Sequence, residues 1–531
     1  MKNRDILKNK YYLYLTEFFS GVSVMAVELG ASRLLAPYFS SSQIVWTIII
    51  GTIMIAMALG NIYGGRSADK NPDPAVLYKR IIVAALWIAA IPLLGKYIII
   101  GISGMLVFAV NTNFLIIAAF ASCMVIFVYP LFLLGTVTPS LVKYTVDSLD
   151  DSGSIVGKLG ACNTVGSILG TFLPTFVTIP AVGTAVTFLI FSGILLVIGL
   201  AFFISRKTRI KLCVIAVVVF VLCSLFGHSS AFAFWEDDLT YEGESVYNYL
   251  QVKEDDEKVV LSTNVLFGVQ SVMMKDGQLT GMYYDYALAA PVMAAEEQPD
   301  ILILGNGTGT YAKQCTEYVP GAKVEGVEID GSITELAGKY FALPESVSVA
   351  EYDGRAFLQA VDKKYDVILV DAYQDITIPF QMSSVEFFTM VREHLKDNGV
   401  MAVNMNMHSD GEGSINEYLC DTIASVFDSV YTVDVPGTTN RELFAAAGHD
   451  PAALLEAGMG KVSDEPLSAH MEKVGSRLVK VNGGDKILTD DKAPVEVLGM
   501  KMIDSLIESE LAYYKELYER EGLSGVIDSL L

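Results

Sequence analysis

Apolar runs, most of them close to twenty residues long, follow one another from residue 11 to residue 230 and then stop. Nothing else in the chain constrains its fold as strongly, because a helix needs about 20 mostly apolar residues to cross a hydrocarbon core. The runs cover roughly 12–32, 43–64, 80–96, 114–138, 155–179, 183–204 and 210–230, which predicts a multi-pass helical membrane domain of about seven spans. The stretch 97–110 is apolar but short, and is read as interfacial or re-entrant. The first run is too long for a cleaved signal peptide, and further spans follow it. From residue 236 the composition becomes that of a water-soluble protein, so the 531 residues divide into several domains. The expected divisions are a membrane domain over 1–235, a small β-rich subdomain over 236–295, a Rossmann-like α/β domain over 296–450 and a largely helical extension over 451–531.

Charge divides at the same boundary. Residues 1–235 carry 16 Lys and Arg against 8 Asp and Glu, whereas the remainder carries 21 against 52, a net of −31. So acidic a soluble part argues against a nucleic-acid partner, whose phosphates it would repel, and it concentrates cations instead. Six cysteines and five histidines are scattered without zinc or disulfide spacing, so no metal site is expected. Basic clusters at the N-terminus, at Arg66–Arg80 and at Arg206–Lys211 belong on the cytoplasmic side. Seven spans then put the acidic part on the opposite face, and an eighth at 97–110 would return it, so the side is left open. Within the spans Glu17 and Glu28 are costly carboxylates that need a partner or a cavity, and a buried polar tie between helices satisfies them as well as a transport path does. Pro174 and Pro180 are expected to kink or end the fifth span, and recurrent glycines suit close helix packing.

In the acidic half, alternating patterns over 245–290 predict a small antiparallel sheet. After it, strands alternate with helices: Ile301–Leu304, Val324–Ile329, Val347–Ala350, Tyr365–Val370, Val400–Asn404, Val430–Val435 and Glu442–Ala446. The first strand runs directly into Gly305-Asn-Gly307-Thr-Gly309, where a tight turn and free N–H groups at a helix start suit a polar ligand. Glu328 closes the next strand, where a nucleotide-binding fold places the acid that holds ribose hydroxyls. Asp353-Gly354-Arg355 and Asp371-Ala-Tyr373-Gln374-Asp375 follow later strands, at the sheet end where open α/β folds bind ligands. Each of these acids also suits a helix cap or a turn. For Asp371, at the end of an apolar strand, the position also suits a base.

These runs, with Ser245-Val-Tyr247-Asn248-Tyr-Leu-Gln251 and Gln270-Ser271-Val-Met-Met-Lys-Asp276-Gly277 upstream, resemble the spermidine synthases, or polyamine aminopropyltransferases. Arg33-Leu-Leu-Ala-Pro37, Gly135-Thr-Val-Thr-Pro139, Asn163-Thr-Val-Gly166 and Leu488-Thr489-Asp490-Asp491 are similar to a membrane-fused subgroup. The resemblance implies transfer of an aminopropyl group from decarboxylated S-adenosylmethionine, or a related sulfonium nucleoside such as S-adenosylmethionine itself, to a small-molecule amine, with no tightly bound cofactor. It implies Asn248, Gly305, Gly307, Gly309, Glu328, Asp353 and Gly354 around the donor. Tyr283, Asp285, Tyr373, Gln374 and Asp375 would face the amine, and Asp371 would deprotonate or orient it. The chain departs from the family pattern in four places. Thr308 stands for an Asp of the glycine loop, Gln374 for a second Asp with Asp375 adjacent, Asp285 for a Glu, and Ala289 for a His or Asn. The alternatives are a transporter of polyamine-like cations, or a nucleoside-binding membrane scaffold whose synthase-like domain is inactive. The helical tail Val495–Leu531 suits packing on the core, lying on the bilayer or forming a homodimer, and its sequence does not choose.

Overall fold

The computed structural model describes residues 7, 9–107, 109–110, 112–145, 152–229, 231–236, 238–265, 269–373, 378–406, 409 and 411–530. The chain divides into two compact units. The first comprises Met1–Glu236 with Gly243–Tyr249 and Leu511–Leu531, and the second comprises Asp237–Glu242 with Leu250–Glu510.

Helices make up the first unit. In order they are α1 (Lys10–Phe39), α2 (Gln43–Lys70), α3 (Pro74–Val107), α4 (Phe114–Ile126), α5 (Val128–Gly135), α6 (Val137–Thr145), α7 (Ser152–Leu173), α8 (Ile179–Ser205) and α9 (Ile210–Phe226). Among the described residues, α1, α2, α3 and the run Ser152–Ser205 are long and apolar enough to cross a membrane. Phe114–Ile126 and Val128–Thr145, bent by 49°, make a fifth candidate together, while α9 is apolar but shorter. Residues 97–107 are not a separate interfacial segment. They continue α3, because neither Gly95 nor Lys96 breaks the helix. The Lys96 ammonium donates to the Ala231 carbonyl at 2.8 Å and lies over the Tyr97 and Phe234 rings, which makes its place in an apolar helix tolerable.

The run Ser152–Ser205 holds two segments. Gly166 and Gly170 of α7 lie against the Phe18 and Val22 carbonyls of α1, so these helices run parallel. Tyr12 donates to the Ile198 carbonyl and Ser23 to that of Phe191, so α8 runs antiparallel to α1. The reversal falls at Gly183, whose φ of 77° and ψ of 171° suit glycine alone. Pro174, expected to kink or end the segment, is carried instead in a π-helical turn over Pro174–Thr178. Buried Glu17 ties three helices, accepting from Thr138 Oγ1 at 2.5 Å and Asn163 Nδ2 at 2.9 Å.

The second unit is α/β. Four strands, β1 (Leu239–Glu244), β2 (Tyr249–Glu254), β3 (Lys258–Ser262) and β4 (Ser271–Met274), form one sheet in that order. Two short helices follow, α10 (Tyr283–Ala287) and α11 (Ala289–Ala294). An alternating series then runs β5 (Asp300–Leu304), α12 (Thr310–Tyr318), β6 (Lys323–Glu328), α13 (Gly331–Tyr340), β7 (Ser348–Glu351), α14 (Gly354–Ala360) and β8 (Tyr365–Val370). It continues through α15 (Val385–Glu393), β9 (Leu395–Met405), α16 (Ile415–Val426), β10 (Val430–Asp434) and β11 (Arg441–Ala446). It closes with α17 (Pro451–Met459), α18 (Glu465–Arg477), β12 (Val479–Lys480) and α19 (Val495–Leu530), whose residues from Leu511 onward belong to the first unit.

The large sheet has the order β12-β10-β11-β9-β8-β5-β6-β7. Strands β7 to β9 are parallel, and β11, β10 and β12 add an antiparallel edge. Every residue of β8 is buried, as its near-continuous apolar run requires for a strand covered on both faces. Residues alternate between two cores: Ile301, Ile303, Val367, Leu369, Val400, Ala402 and Phe444 face one, while Leu302, Leu304, Ile368, Val370, Met401, Val403 and Leu443 face the other. The chain leaves β5 for β6 and β7 on one side, then returns to β8 on the other. This order makes a topological switch point between the ends of β5 and β8, where such sheets open a crevice.

Candidate active site

The glycine loop and Asp371 meet at that switch point. Gly305, Gly307 and Gly309 all have positive φ, of 91°, 53° and 80°. At Gly305 a Cβ would stand 2.4 Å from the Asp371 carbonyl oxygen, so only glycine lets the two strand ends approach this closely. The amides of Gly305 and Asn306 both donate to the Val327 carbonyl, and the Asp371 amide donates to that of Leu304. Thr308 is buried, with its amide 3.4 Å from Ser271 Oγ of β4 and its hydroxyl 3.5 Å from that of Thr310.

Glu328, at the end of β6, accepts from the Gly307 amide at 2.8 Å and from the Asp330 amide at 3.0 Å. Burial pushes its carboxyl above the usual range, and the two amides pull it part of the way back. Asp353 caps α14 by accepting from the Ala356 amide at 2.8 Å, next to Gly354 at the helix start. Arg355 makes a forked ion pair with Asp490 at 2.6 and 2.7 Å, which ties this loop to the Thr489-Asp490 segment.

Asp371 follows Val367 and Leu369 on the face covered by α10. Its Oδ2 accepts from the Tyr283 hydroxyl at 2.6 Å and its Oδ1 from Asn404 Nδ2 at 2.8 Å. Burial raises its carboxyl to about 7, against the pull of those two donors, and the charge of Glu328 adds to the rise. Such a group changes charge near neutrality, as a base for proton transfer should. Burial and the neighbouring Asp371 push the Tyr283 hydroxyl well above its ordinary value, so it stays a donor. Tyr373 donates to the Asn404 carbonyl and accepts from the Asn406 amide, which pins the loop after β8.

Asp285 serves a different purpose. It accepts from the Thr280 amide and hydroxyl, the Gly281 amide and Gln314 Nε2, at 2.6 to 3.1 Å, and so holds the turn before α10. Asn248 lies between β1 and β2, where its carbonyl accepts from the Ser245 amide at 2.8 Å. Gln374 and Asp375 lie outside the described residues. Two further polar residues belong to the Asp371 environment and were not singled out from sequence, Asn404 on β9 and Glu442 on β11, which are register partners. Both are wholly or almost wholly buried. No local signal marked them, because both strands carry other polar residues and the pairing of the two is a matter of cross-strand register.

The profile described as "Spermine/spermidine synthase domain" matches residues 282–446, which take in α10, the glycine loop, Glu328, Asp353, Asp371, Asn404 and Glu442. A "Probable polyamine aminopropyl transferase" of Bifidobacterium longum is 56% identical over 345 residues, covering 62% of this chain and 77% of that protein. A "Polyamine aminopropyltransferase" of Vibrio vulnificus is 26% identical over 294 residues, covering 52% of this chain and 96% of that one. Among solved structures, a spermidine synthase from Thermotoga maritima is 17% identical over 52% of this chain and 88% of that chain, with a TM-score of 0.37.

Proposed function

The chain belongs to the polyamine aminopropyltransferase family, and on that premise we propose that it moves an aminopropyl group from decarboxylated S-adenosylmethionine to an amine, with Asp371 as base. The observation that carries the assignment is the Asp371 carboxylate, held by Tyr283 and Asn404 at the switch point and raised to about 7. An ammonium has no lone pair, so the acceptor first gives a proton to Asp371. The freed nitrogen then attacks the carbon next to the sulfonium. The new C–N bond forms as the C–S bond breaks, and the electron pair returns to sulfur, which leaves as neutral methylthioadenosine.

In this reading Gly305–Gly309 line the donor and Glu328 takes its ribose hydroxyls. Each oxygen of Glu328 accepts one backbone amide and keeps a second lone pair, which leaves room for those hydroxyls. Asp353 and Gly354 would meet the adenine, and Tyr283 and Tyr373 would flank the amine. Asp285 contributes indirectly, by fixing the turn that carries Tyr283.

The reading extends to a multi-pass enzyme in a lipid bilayer. Its support is the set of apolar helices, together with outward-facing Met54, Ile55 and Leu59 on α2 and Val214, Ile215 and Val218 on α9. No observation favours the transporter or scaffold alternatives.

Replacing Asp371 by Asn tests the assignment. The expected outcome is a fall of about 10²–10⁴-fold in kcat, with donor affinity retained. Wild-type turnover by Asp371→Asn would remove Asp371 from the chemistry.

A further inference from the structure

Asp371, Asn404 and Glu442 form a row across three neighbouring strands. Val370 pairs with Val403 in the parallel β8–β9 ladder, so Asp371 continues that register beside Asn404. Asn404 pairs with Glu442 in the antiparallel β9–β11 ladder. Residues paired across strands project to the same face, so all three side chains lie on the side covered by α10. Neighbouring strands stand about 4.8 Å apart, which separates the two acids by roughly 10 Å at the backbone.

Two of the three are satisfied. Asp371 has its two donors, while Asn404 gives to Asp371 and accepts from Asn440 Nδ2 at 2.9 Å. Glu442 is 0% exposed, and neither of its carboxylate oxygens has a hydrogen-bond partner among the described residues. A buried acid without partners is costly, and native folds seldom keep one without a reason. The groups around it that titrate are acids, phenols and a thiol: the charge of Asp371 bears on it, its own bears on Tyr373 and on Tyr311, and Tyr311 faces Cys315. Among these there is no cation to pair with it.

Resting on the aminopropyl-transfer reading, we propose that Glu442 is a specificity-determining carboxylate that receives the second, non-attacking ammonium of a diamine acceptor. Asp371 serves the nitrogen that attacks, and Glu442 holds the nitrogen that stays charged. Before the diamine arrives, burial and the neighbouring Asp371 push the Glu442 carboxyl well above its ordinary range and so favour its protonated form. When the ammonium docks, Glu442 gives its proton to solvent, and the ion pair replaces an unpaired acid. A row with an acid at each end and a neutral amide between suits two cationic nitrogens joined by a short aliphatic chain. It also supplies a carboxylate in a chain whose glycine loop carries Thr308 and no acid.

The test compares putrescine with butylamine, a monoamine of the same carbon length, on the full-length chain in detergent with saturating decarboxylated S-adenosylmethionine. The unsubstituted chain should prefer putrescine by about 10–100-fold in kcat/KM, the scale of one buried charged hydrogen bond. Glu442→Gln should bring the two amines to within about three-fold of each other, through a raised putrescine KM, and leave the donor KM unchanged. Glu442→Asp should restore part of the preference. A Glu442→Gln chain that keeps the full preference overturns the proposal, as does an unsubstituted chain that shows none. Failure of the transfer reading looks different, because the unsubstituted chain would then turn over neither amine. Removing an unpaired buried acid should not unfold the protein, and a thermal melt of Glu442→Gln within a few degrees of the unsubstituted chain checks this.

Discussion

A carboxylate at the end of a buried strand gains basicity from the water it has lost. Asp371 illustrates the balance: burial carries its pKa to about 7, while Tyr283 and Asn404 favour the ionised form. Only the ionised form accepts the ammonium proton, so kcat/KM should rise with pH to a plateau above about 7 and be lost as pH falls through 7. Tyr283→Phe removes a donor to the ionised form, so the acid limb should move up by about one pH unit, read from a pH–rate profile. A limb that stays in place would detach Tyr283 from the base. Stability has the opposite sign. Between about 4 and 7 the folded chain holds a proton at Asp371 that the unfolded chain releases, so this residue's contribution falls as pH rises through that window. Asp371→Asn should flatten that part of the stability–pH curve, measured by thermal unfolding. The positions of Asp371, Glu328 and Asp353 were legible in the sequence because each closes or follows a strand. Asn404 and Glu442 were not, since their meaning comes from cross-strand register that no local pattern encodes.

At the scale of elements, the site depends on how closely β5 and β8 approach. Gly305 stands where a Cβ would meet the Asp371 carbonyl at 2.4 Å, and its φ of 91° already disfavours any other residue. Gly305→Ala should cost roughly 3 kcal/mol or more, read as a lowered midpoint of thermal unfolding, and should depress turnover by displacing Asp371. An unchanged midpoint would mean the two strand ends are free to part. The strand–helix alternation over 300–446 was readable because parallel strands covered on both faces leave continuous apolar runs. Their order was not, because the crossing from β7 back to β8 is a tertiary choice. The two-residue β12 left too short a pattern to detect.

For the whole molecule, the change in apolar patterning near residue 236 is enough to separate two kinds of surroundings along the sequence. Helix continuity was harder to see. Lys96 looked like a boundary, yet α3 runs through it, and Gly183 rather than Pro174 reverses the chain. Apolar side chains that face outward over several turns call for lipid, so the chain should stay in the membrane pellet after alkaline carbonate washing and leave it only with detergent. Release by carbonate would contradict the bilayer reading. The central claim is the transfer itself, and one assay reaches it most directly. The full-length chain, purified in detergent, is incubated with decarboxylated S-adenosylmethionine and putrescine, and methylthioadenosine and the aminopropylated amine are quantified by mass spectrometry. The account predicts that the two products form in equal amounts and that Asp371→Asn slows the formation of both by about 10²–10⁴-fold. A folded chain that binds the donor and releases neither product would contradict it.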